Sequence, residues 1–299
     1  MSARRRRWTG IATVLAAGLS FAMALGGCAG GQRIQTSAPV ASAAVASPDG
    51  GNVNGMIDLG RYSLFYACAG TGAPTVLLEH GLGGDASQWT EVVRALSGRT
   101  RVCDYSRVNA HLSGTMDGTH AVQDNVTDVH ELLAKAGISG PYVAVGYSWG
   151  GLVTQAFAST YPGEIAGMVL VDSNNADEAR TYWAHLTPAQ VARDKAELAA
   201  PNPELVDIIA SFEEVRAGPK VPDVPLVVLT HTASDPEEWP TGWDQATFDG
   251  LQSGLQKDLL KLTTKSSQVF VDGGHDIPEA HPEAIVSAIE TVLDAIAGT

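Results

Sequence analysis

The sequence predicts an α/β domain in which an eight-stranded, mostly parallel sheet is flanked by helices. Short runs of β-branched and aliphatic residues alternate with amphipathic stretches from about residue 55 onward. The later runs are almost continuously apolar, as is usual for strands that are buried on both faces of a parallel sheet. One connection of about fifty residues interrupts the alternation and is longer than a simple crossover requires.

Eight short segments are candidate strands, and the first two are predicted to form a hairpin. Apolar side chains at helical spacing predict helices over residues 86–96 and 121–137. A further helix is expected directly after Ser148, and residues 282–298 form the predicted last helix. The candidate strands cover residues 55–60, 62–70, 75–81, 100–106, 142–148, 167–173, 226–231 and 267–273.

The long connection follows the sixth strand and is predicted to form a small helical cap over about residues 174–222. It leaves the sheet at the carboxyl ends of the strands, where open α/β sheets bind their ligands. We therefore expect the cap to cover a ligand site within one folded domain, residues 53–299.

The first 52 residues are predicted to lie outside this domain. Residues 1–27 join an arginine-rich start to an apolar stretch that is short for a membrane span, which is typical of an export signal. Cys28 follows a leucine and two small residues, a pattern that resembles the lipobox of bacterial lipoproteins, in which this cysteine is lipidated. The alternative is an ordinary signal peptide with a cysteine near the cut. Residues 28–52 are rich in Ala, Ser, Gly and Pro and are expected to be a flexible tether.

These features predict an exported protein of the cell envelope, anchored by its lipid on the extracytoplasmic side of a bacterial membrane. The formal net charge of the chain is −14, and without the four basic residues of the predicted signal 15 basic residues face 33 acidic ones, a charge of −18. Such a surface argues against nucleic-acid partners and against electrostatic binding to anionic lipid. Attachment to the membrane would then depend on the lipid at Cys28.

Residues 146–150, Gly-Tyr-Ser-Trp-Gly, fit the G-x-S-x-G pattern of a nucleophile elbow. A candidate strand precedes the pattern and a candidate helix follows it, as the elbow requires. The glycines permit a tight turn that exposes the hydroxyl of Ser148. We interpret Ser148 as a nucleophile, and a purely structural bend is the alternative.

A serine nucleophile needs a general base that is oriented by an acid. His275 fits the base, because it follows the last strand and precedes the last helix. Asp235 follows the seventh strand and Asp172 ends the sixth, so both satisfy the order Ser, acid, His. The sequence favours Asp235, since an aspartate at the end of a buried strand can serve only to hold its turn, and Asp172 is the alternative acid. His231 is interpreted as non-catalytic.

Acyl transfer also produces an oxyanion, which needs preorganised N–H donors. The backbone N–H of Trp149, directly after the nucleophile, is one expected donor. The glycine-rich turn after the third strand offers the N–H of Leu82 as the other, unless this turn is only a flexible loop. No cofactor is expected, and no metal, because the histidines lack convincing ligand spacing.

Together these motifs resemble the α/β-hydrolase fold superfamily over about residues 53–297. The turn with Leu82, the elbow with Ser148 and the Gly-His pair that ends at His275 match that family's pattern. The segment after the fourth strand keeps Arg107 but departs from the family's aspartate and spaced glycines.

The resemblance also implies a disulfide, because the family places the second and fourth strands side by side. Cys68 and Cys103 would then lie on neighbouring strands, and two buried thiols are the alternative.

The resemblance implies a serine hydrolase that cleaves small-molecule carboxylic esters through an acyl-enzyme. The serine nucleophile disfavours the aspartate-dependent epoxide hydrolases and dehalogenases that share the fold. Two alternatives remain: a non-catalytic ligand-binding lipoprotein on the same scaffold, and a cofactor-free peroxidase or lyase that uses the same triad.

Overall fold

The structure, a computed structural model, describes residues 51–233 and 244–298. These residues form eight strands and nine α-helices. The strands are β1 (Val53–Asp58), β2 (Ser63–Ala69), β3 (Thr75–Glu79), β4 (Val102–Tyr105), β5 (Tyr142–Tyr147), β6 (Ile165–Val171), β7 (Leu226–His231) and β8 (Ser266–Val271). The helices are α1 (Thr90–Leu96), α2 (Val122–Ala136), α3 (Trp149–Thr160), α4 (Glu178–Trp183), α5 (Pro188–Leu198), α6 (Ile208–Ala217), α7 (Gln245–Leu259), α8 (Ile277–Ala280) and α9 (Pro282–Ala297).

All eight strands belong to one sheet in the order β1-β2-β4-β3-β5-β6-β7-β8. β2 pairs antiparallel with both β1 and β4, and every pair from β4 through β3 to β8 is parallel. The predicted fold class, an eight-stranded and mostly parallel sheet with flanking helices, is therefore confirmed. The strands β5 and β6 are neighbours, so the loops after them open at the same end of the sheet.

Helices cover both faces of the sheet. Leu77 packs in the cluster that includes α2 and α3, whereas Val76 and Leu78 pack in the cluster that includes α1 and α9. Because successive side chains of a strand point to opposite faces, a strand covered on both sides must be apolar throughout. Each buried side chain of this size contributes about 1.5–3 kcal/mol, which explains the continuous Val and Leu runs.

A disulfide joins Cys68 of β2 to Cys103 of β4. The two cysteines stand directly opposite each other in the antiparallel register of these strands. The structure thus contains the disulfide that the family resemblance implied, and it ties the first hairpin to the body of the sheet.

Three helices, α4, α5 and α6, lie between β6 and β7, where the cap (residues 174–222) is expected. Phe212 of α6 packs edge-on against Trp149 with the ring centroids 6.2 Å apart. Trp149 is the first residue of α3, so this contact brings the cap to the turn that carries Ser148.

Several sequence predictions concern other parts of the chain. The predicted signal (residues 1–27), Cys28 and most of the tether lie outside the described residues, and so does Asp235. None of the helices in residues 51–233 and 244–298 has the length and apolar character needed to span a bilayer.

Candidate active site

The turn between β5 and α3 displays Ser148, and its glycines are required by close backbone contacts. Ser148 has φ 53° and ψ −120°, a conformation that costs a residue with a side chain about 1–3 kcal/mol. A Cβ on Gly146 would lie 2.3 Å from the carbonyl oxygen of Gly150, and one on Gly150 would lie 2.4 Å from that of Glu79. The N–H of Ser148 donates to the carbonyl of Val171 at 3.0 Å, which ties the turn to β6.

His275 lies in the loop between β8 and α8, and its ring reaches Ser148. Its Nε2 is 2.9 Å from Oγ of Ser148, within hydrogen-bonding distance for proton transfer. The imidazole also packs against the ring of Tyr147, with the centroids 5.0 Å apart. The side chain is 37% exposed, so the imidazole stands at the boundary between the protein and solvent.

Asp172 directly follows β6, and its buried carboxylate contacts two imidazoles. Its Oδ2 is 2.5 Å from Nδ1 of His275 and 2.6 Å from Nδ1 of His231. Burial by itself would raise the pKa of Asp172, but the hydrogen bonds and charges of the two histidines outweigh it and lower that pKa. The carboxylate is therefore held in its ionised form behind His275.

The aspartate in contact with His275 is thus Asp172, whereas the sequence favours Asp235. The physical reason is local: Asp172 has a left-handed backbone, with φ 43°, and the chain turns sharply there as it leaves the sheet. An aspartate at a strand end is therefore not confined to its own turn. Asp235 lies outside the described residues.

His231 is the residue of this cluster for which the sequence predicts no role. It ends β7, next to β6 in the sheet, and its side chain is 7% exposed. A single histidine at the end of an apolar run carries no local pattern. The available signal is its position on a strand adjacent to the one that carries Asp172.

Residues 80–84 after β3, called the oxyanion loop here because Leu82 is the donor that the sequence predicts, lie against the elbow. A Cβ on Gly81 would lie 3.6 Å from Cβ of Ser148. Among the described residues no acceptor is found for the N–H of Leu82. Trp149 is the first residue of α3, and an N–H at this position has no acceptor within the helix. The other N–H groups of the loop's 81–84 stretch are occupied: Gly81 donates to Gln88 Oε1 at 3.0 Å, Gly83 to Glu204 Oε1 at 2.7 Å, and Gly84 to the Gly81 carbonyl at 3.1 Å.

Asp172, His231 and His275 also form the one group of three potential metal ligands in the described part of the chain. Their ligand atoms lie within 4.8 Å of one another. Both Nδ1 atoms already contact the same carboxylate oxygen, so a metal would have to replace the protons that join them. The contacts are fully explained as a hydrogen-bonded chain that continues to Ser148.

Comparisons with known proteins agree with this architecture. A family model described as alpha/beta hydrolase fold matches residues 74–206. The uncharacterized protein YqjL of Bacillus subtilis is 27% identical over 236 residues, which are 75% of this chain and 85% of YqjL. Lipase 1 of Psychrobacter immobilis is 31% identical over 98 residues, 33% of this chain and 31% of the lipase. The protein named probable transporter efuK of Hormonema carpetanum is 34% identical over 127 residues, which are 40% of this chain and 18% of efuK.

Solved structures share the fold over most of the chain. The enol-lactonase from Burkholderia xenovorans LB400 has a TM-score of 0.58 at 20% identity, covering 80% of this chain and 100% of that one. The lip1 protein of Acinetobacter baumannii AYE has a TM-score of 0.64 at 16% identity, covering 83% and 92%. The sheet order, the elbow and these solved structures agree, so the chain has the α/β-hydrolase fold.

Proposed function

We propose that the protein is a serine hydrolase that cleaves carboxylic esters through an acyl-enzyme on Ser148. One observation carries the proposal: a continuous chain of contacts from Oγ of Ser148 through the ring of His275 to Asp172, at 2.9 and 2.5 Å. A serine hydroxyl is a weak nucleophile alone, and these contacts supply it with a base and an orienting acid.

In the proposed reaction, Oγ of Ser148 attacks the ester carbonyl carbon while its proton moves to Nε2 of His275. Asp172 accepts a hydrogen bond from Nδ1–H, which fixes the tautomer and stabilises the imidazolium. The oxyanion accepts hydrogen bonds from the N–H groups of Leu82 and Trp149. The imidazolium then protonates the leaving alcohol. In the second half of the reaction His275 takes a proton from water as the water attacks the acyl carbonyl carbon, and the imidazolium returns that proton to Oγ of Ser148 as the acid leaves.

Two relatives support ester chemistry. Lipase 1 and the enol-lactonase have names that describe hydrolases of lipids and of lactones, and both substrate types contain ester bonds. The substrate that we propose is accordingly a small-molecule ester.

The test is labelling with a fluorophosphonate probe, followed by intact mass. We expect one adduct on the wild type and none on Ser148→Ala or His275→Ala. Asp172→Asn is expected to label about 10²–10⁴-fold more slowly, whereas the matched variant Asp235→Asn labels like the wild type.

Three outcomes would contradict the proposal. A folded wild type that neither labels nor hydrolyses an ester panel would favour a ligand-binding lipoprotein. Labelling that survives Ser148→Ala would remove the nucleophile. Slow labelling of Asp235→Asn with normal labelling of Asp172→Asn would make Asp235 the acid.

We further propose that the protein is exported and lipidated at Cys28, on the strength of the arginine-rich start, the apolar stretch and the small residues before the cysteine. Incorporation of an alkyne fatty acid in bacterial cells is expected for the wild type and not for Cys28→Ser. Equal incorporation in both would refute lipidation at Cys28, and retention of residues 1–27 in the wild type would refute cleavage before Cys28.

A further inference from the structure

Arg107 is a fully buried cation directly behind the oxyanion loop. Its Nη1 donates to the carbonyl of His80 at 2.7 Å, and its Nη2 donates to the carbonyl of Gly81 at 3.0 Å. The Gly81 carbonyl belongs to the same peptide unit as the N–H of Leu82. Because the two groups of a trans peptide point in opposite directions, a carbonyl held by Arg107 directs the Leu82 N–H away from it.

Glu204 belongs to the cap, yet its carboxylate is completely buried beside the same loop. Its Oε1 accepts hydrogen bonds from the N–H of Gly83 at 2.7 Å and from Nη2 of Arg107 at 2.9 Å. Its Oε2 accepts from Nε of Arg107 at 2.7 Å, so the pairing is bidentate, the strongest arrangement for these two groups. Glu204 thus holds the peptide unit on the other side of Leu82.

The charges around this pair favour an ionised Glu204. Burial by itself raises the pKa of Glu204, but the charge and hydrogen bonds of Arg107 outweigh it and lower that pKa. Burial raises the pKa of Glu79, the second carboxyl near Arg107, to about 7. Burial and then the charge of Arg107 lower the pKa of His80 to about 4, which keeps that ring neutral. Of the two carboxyls that face Arg107, Glu204 is therefore the one held more firmly in its ionised form.

The cap segment around Glu204 has its own attachments to the body of the protein. The N–H of His120 donates to the carbonyl of Leu205 at 3.2 Å, and the carbonyl of His120 accepts from the N–H of Asp207 at 2.7 Å. Nδ2 of Asn109 donates to the carbonyl of Glu204 at 3.1 Å. These backbone contacts give the carboxylate a set position that does not depend on the oxyanion loop.

We propose that Glu204 is a positioning residue through which the cap sets the direction of the Leu82 N–H in the oxyanion hole. Both peptide units that flank the Cα of Leu82 are held, one by Arg107 and the other by Glu204. The inference rests on the proposed function, because an oxyanion hole acts only in acyl transfer. It requires that loss of Glu204 weakens binding of the transition state and leaves binding of the substrate unchanged.

The test measures kcat and KM for p-nitrophenyl butyrate and Ki for a trifluoromethyl ketone, which adds to the serine to form a tetrahedral oxyanion. Active sites are counted with the fluorophosphonate probe, so that unfolded protein does not contribute. For Glu204→Gln we expect kcat to fall about 10–100-fold while KM changes less than about twofold. The Ki of the ketone is expected to rise by the same factor as kcat/KM falls.

Two further variants make the test independent of folding defects. Glu204→Asp keeps the charge beside Arg107 but withdraws the carboxylate from Gly83, and we expect a fall in kcat of about tenfold with KM unchanged. Glu197→Gln is the matched control, because it removes a cap carboxylate from an exposed ion pair with Arg193. We expect this control to behave like the wild type in all three constants.

Wild-type kcat and Ki in Glu204→Gln or Glu204→Asp would overturn the inference, as would a raised KM at unchanged kcat. In both cases a wild type that labels with the fluorophosphonate probe and hydrolyses p-nitrophenyl butyrate would leave the proposed function intact. A wild type that neither labels nor hydrolyses would refute the proposed function and the role of Glu204 together.

Discussion

Gly150→Ala is expected to damage activity more than stability, because it pushes the elbow away from the oxyanion loop. The new Cβ would lie 2.4 Å from the carbonyl oxygen of Glu79 and 2.5 Å from that of His80. Both atoms belong to the backbone, so no side chain can rotate to relieve the overlap. Ordinary contact requires α3 and the end of β3 to separate by about 1 Å, and this movement carries Ser148 away from Leu82.

The size of each effect follows from this displacement. Overpacking of a rigid site costs about 1–3 kcal/mol, and the better helix propensity of alanine returns up to about 1 kcal/mol. We therefore expect the free energy of unfolding to fall by about 1–2 kcal/mol. A misplacement of about 1 Å between reacting groups costs about 10²-fold in rate, and we expect kcat/KM for p-nitrophenyl butyrate to fall by this factor.

Urea denaturation and ester kinetics, normalised to the folded fraction, check both values. Gly250→Ala is the matched control, because Gly250 is an exposed residue of α7 and a Cβ there would meet no atom within 4 Å. This control is expected to gain up to about 1 kcal/mol and to keep full activity. A Gly150→Ala protein with wild-type kcat/KM would refute the view that the elbow and the oxyanion loop are held at a critical separation.

Three further predictions address charge, the second imidazole and the disulfide. Asp104 is buried, and burial followed by the charge of Asp85 raises its pKa to about 7, so its contribution to stability is present at pH 4 and lost as the pH rises to 7. Asp104→Asn should therefore raise the urea midpoint at pH 8 and change it little at pH 4. His231→Ala removes one of the two imidazole contacts of Asp172 Oδ2 and loosens the carboxylate that orients His275, so kcat should fall about 10–100-fold in steady-state assays, with partial rescue in His231→Asn. Replacing Cys68 and Cys103 by alanine opens a loop of 35 residues, which should lower the free energy of unfolding in urea by about 4 kcal/mol.

Each of these predictions has a contradicting result. An Asp104→Asn protein that gains equally at pH 4 and pH 8 would show that ionisation is not the cause. Unchanged kcat in His231→Ala would mean that Asp172 is held well enough by other contacts. Wild-type stability in the protein without Cys68 and Cys103 would show that the disulfide constrains a denatured state that is already compact.

The parts of the site that depend on local chain geometry could be predicted from the sequence. A glycine-flanked serine between a strand and a helix specifies its own turn, so Ser148 and Trp149 follow from five residues. The glycines after β3 likewise point to Leu82. The apolar runs predict the sheet because a strand buried on both faces cannot contain solvated positions.

The remaining parts depend on tertiary packing that no local pattern encodes. Asp172 and Asp235 follow adjacent strands, and the carboxylate that reaches His275 is decided by how the chain leaves β6. Glu204 is 97 residues from Arg107, and their ion pair exists because the cap folds back over the oxyanion loop. Such contacts join elements that are far apart in the sequence, and their separation along the chain does not predict that they meet in space.

At Ser148 the left-handed backbone favours glycine, whereas the proposed chemistry requires a side-chain hydroxyl. Glycine adopts φ 53° and ψ −120° without steric strain, so Ser148→Gly would relieve about 1–3 kcal/mol of strain while removing Oγ, the proposed nucleophile. An inactive protein would then be the more stable one. Selection for thermal stability alone would therefore favour glycine at this position. A serine kept in a strained backbone conformation is what the proposed role of its hydroxyl requires.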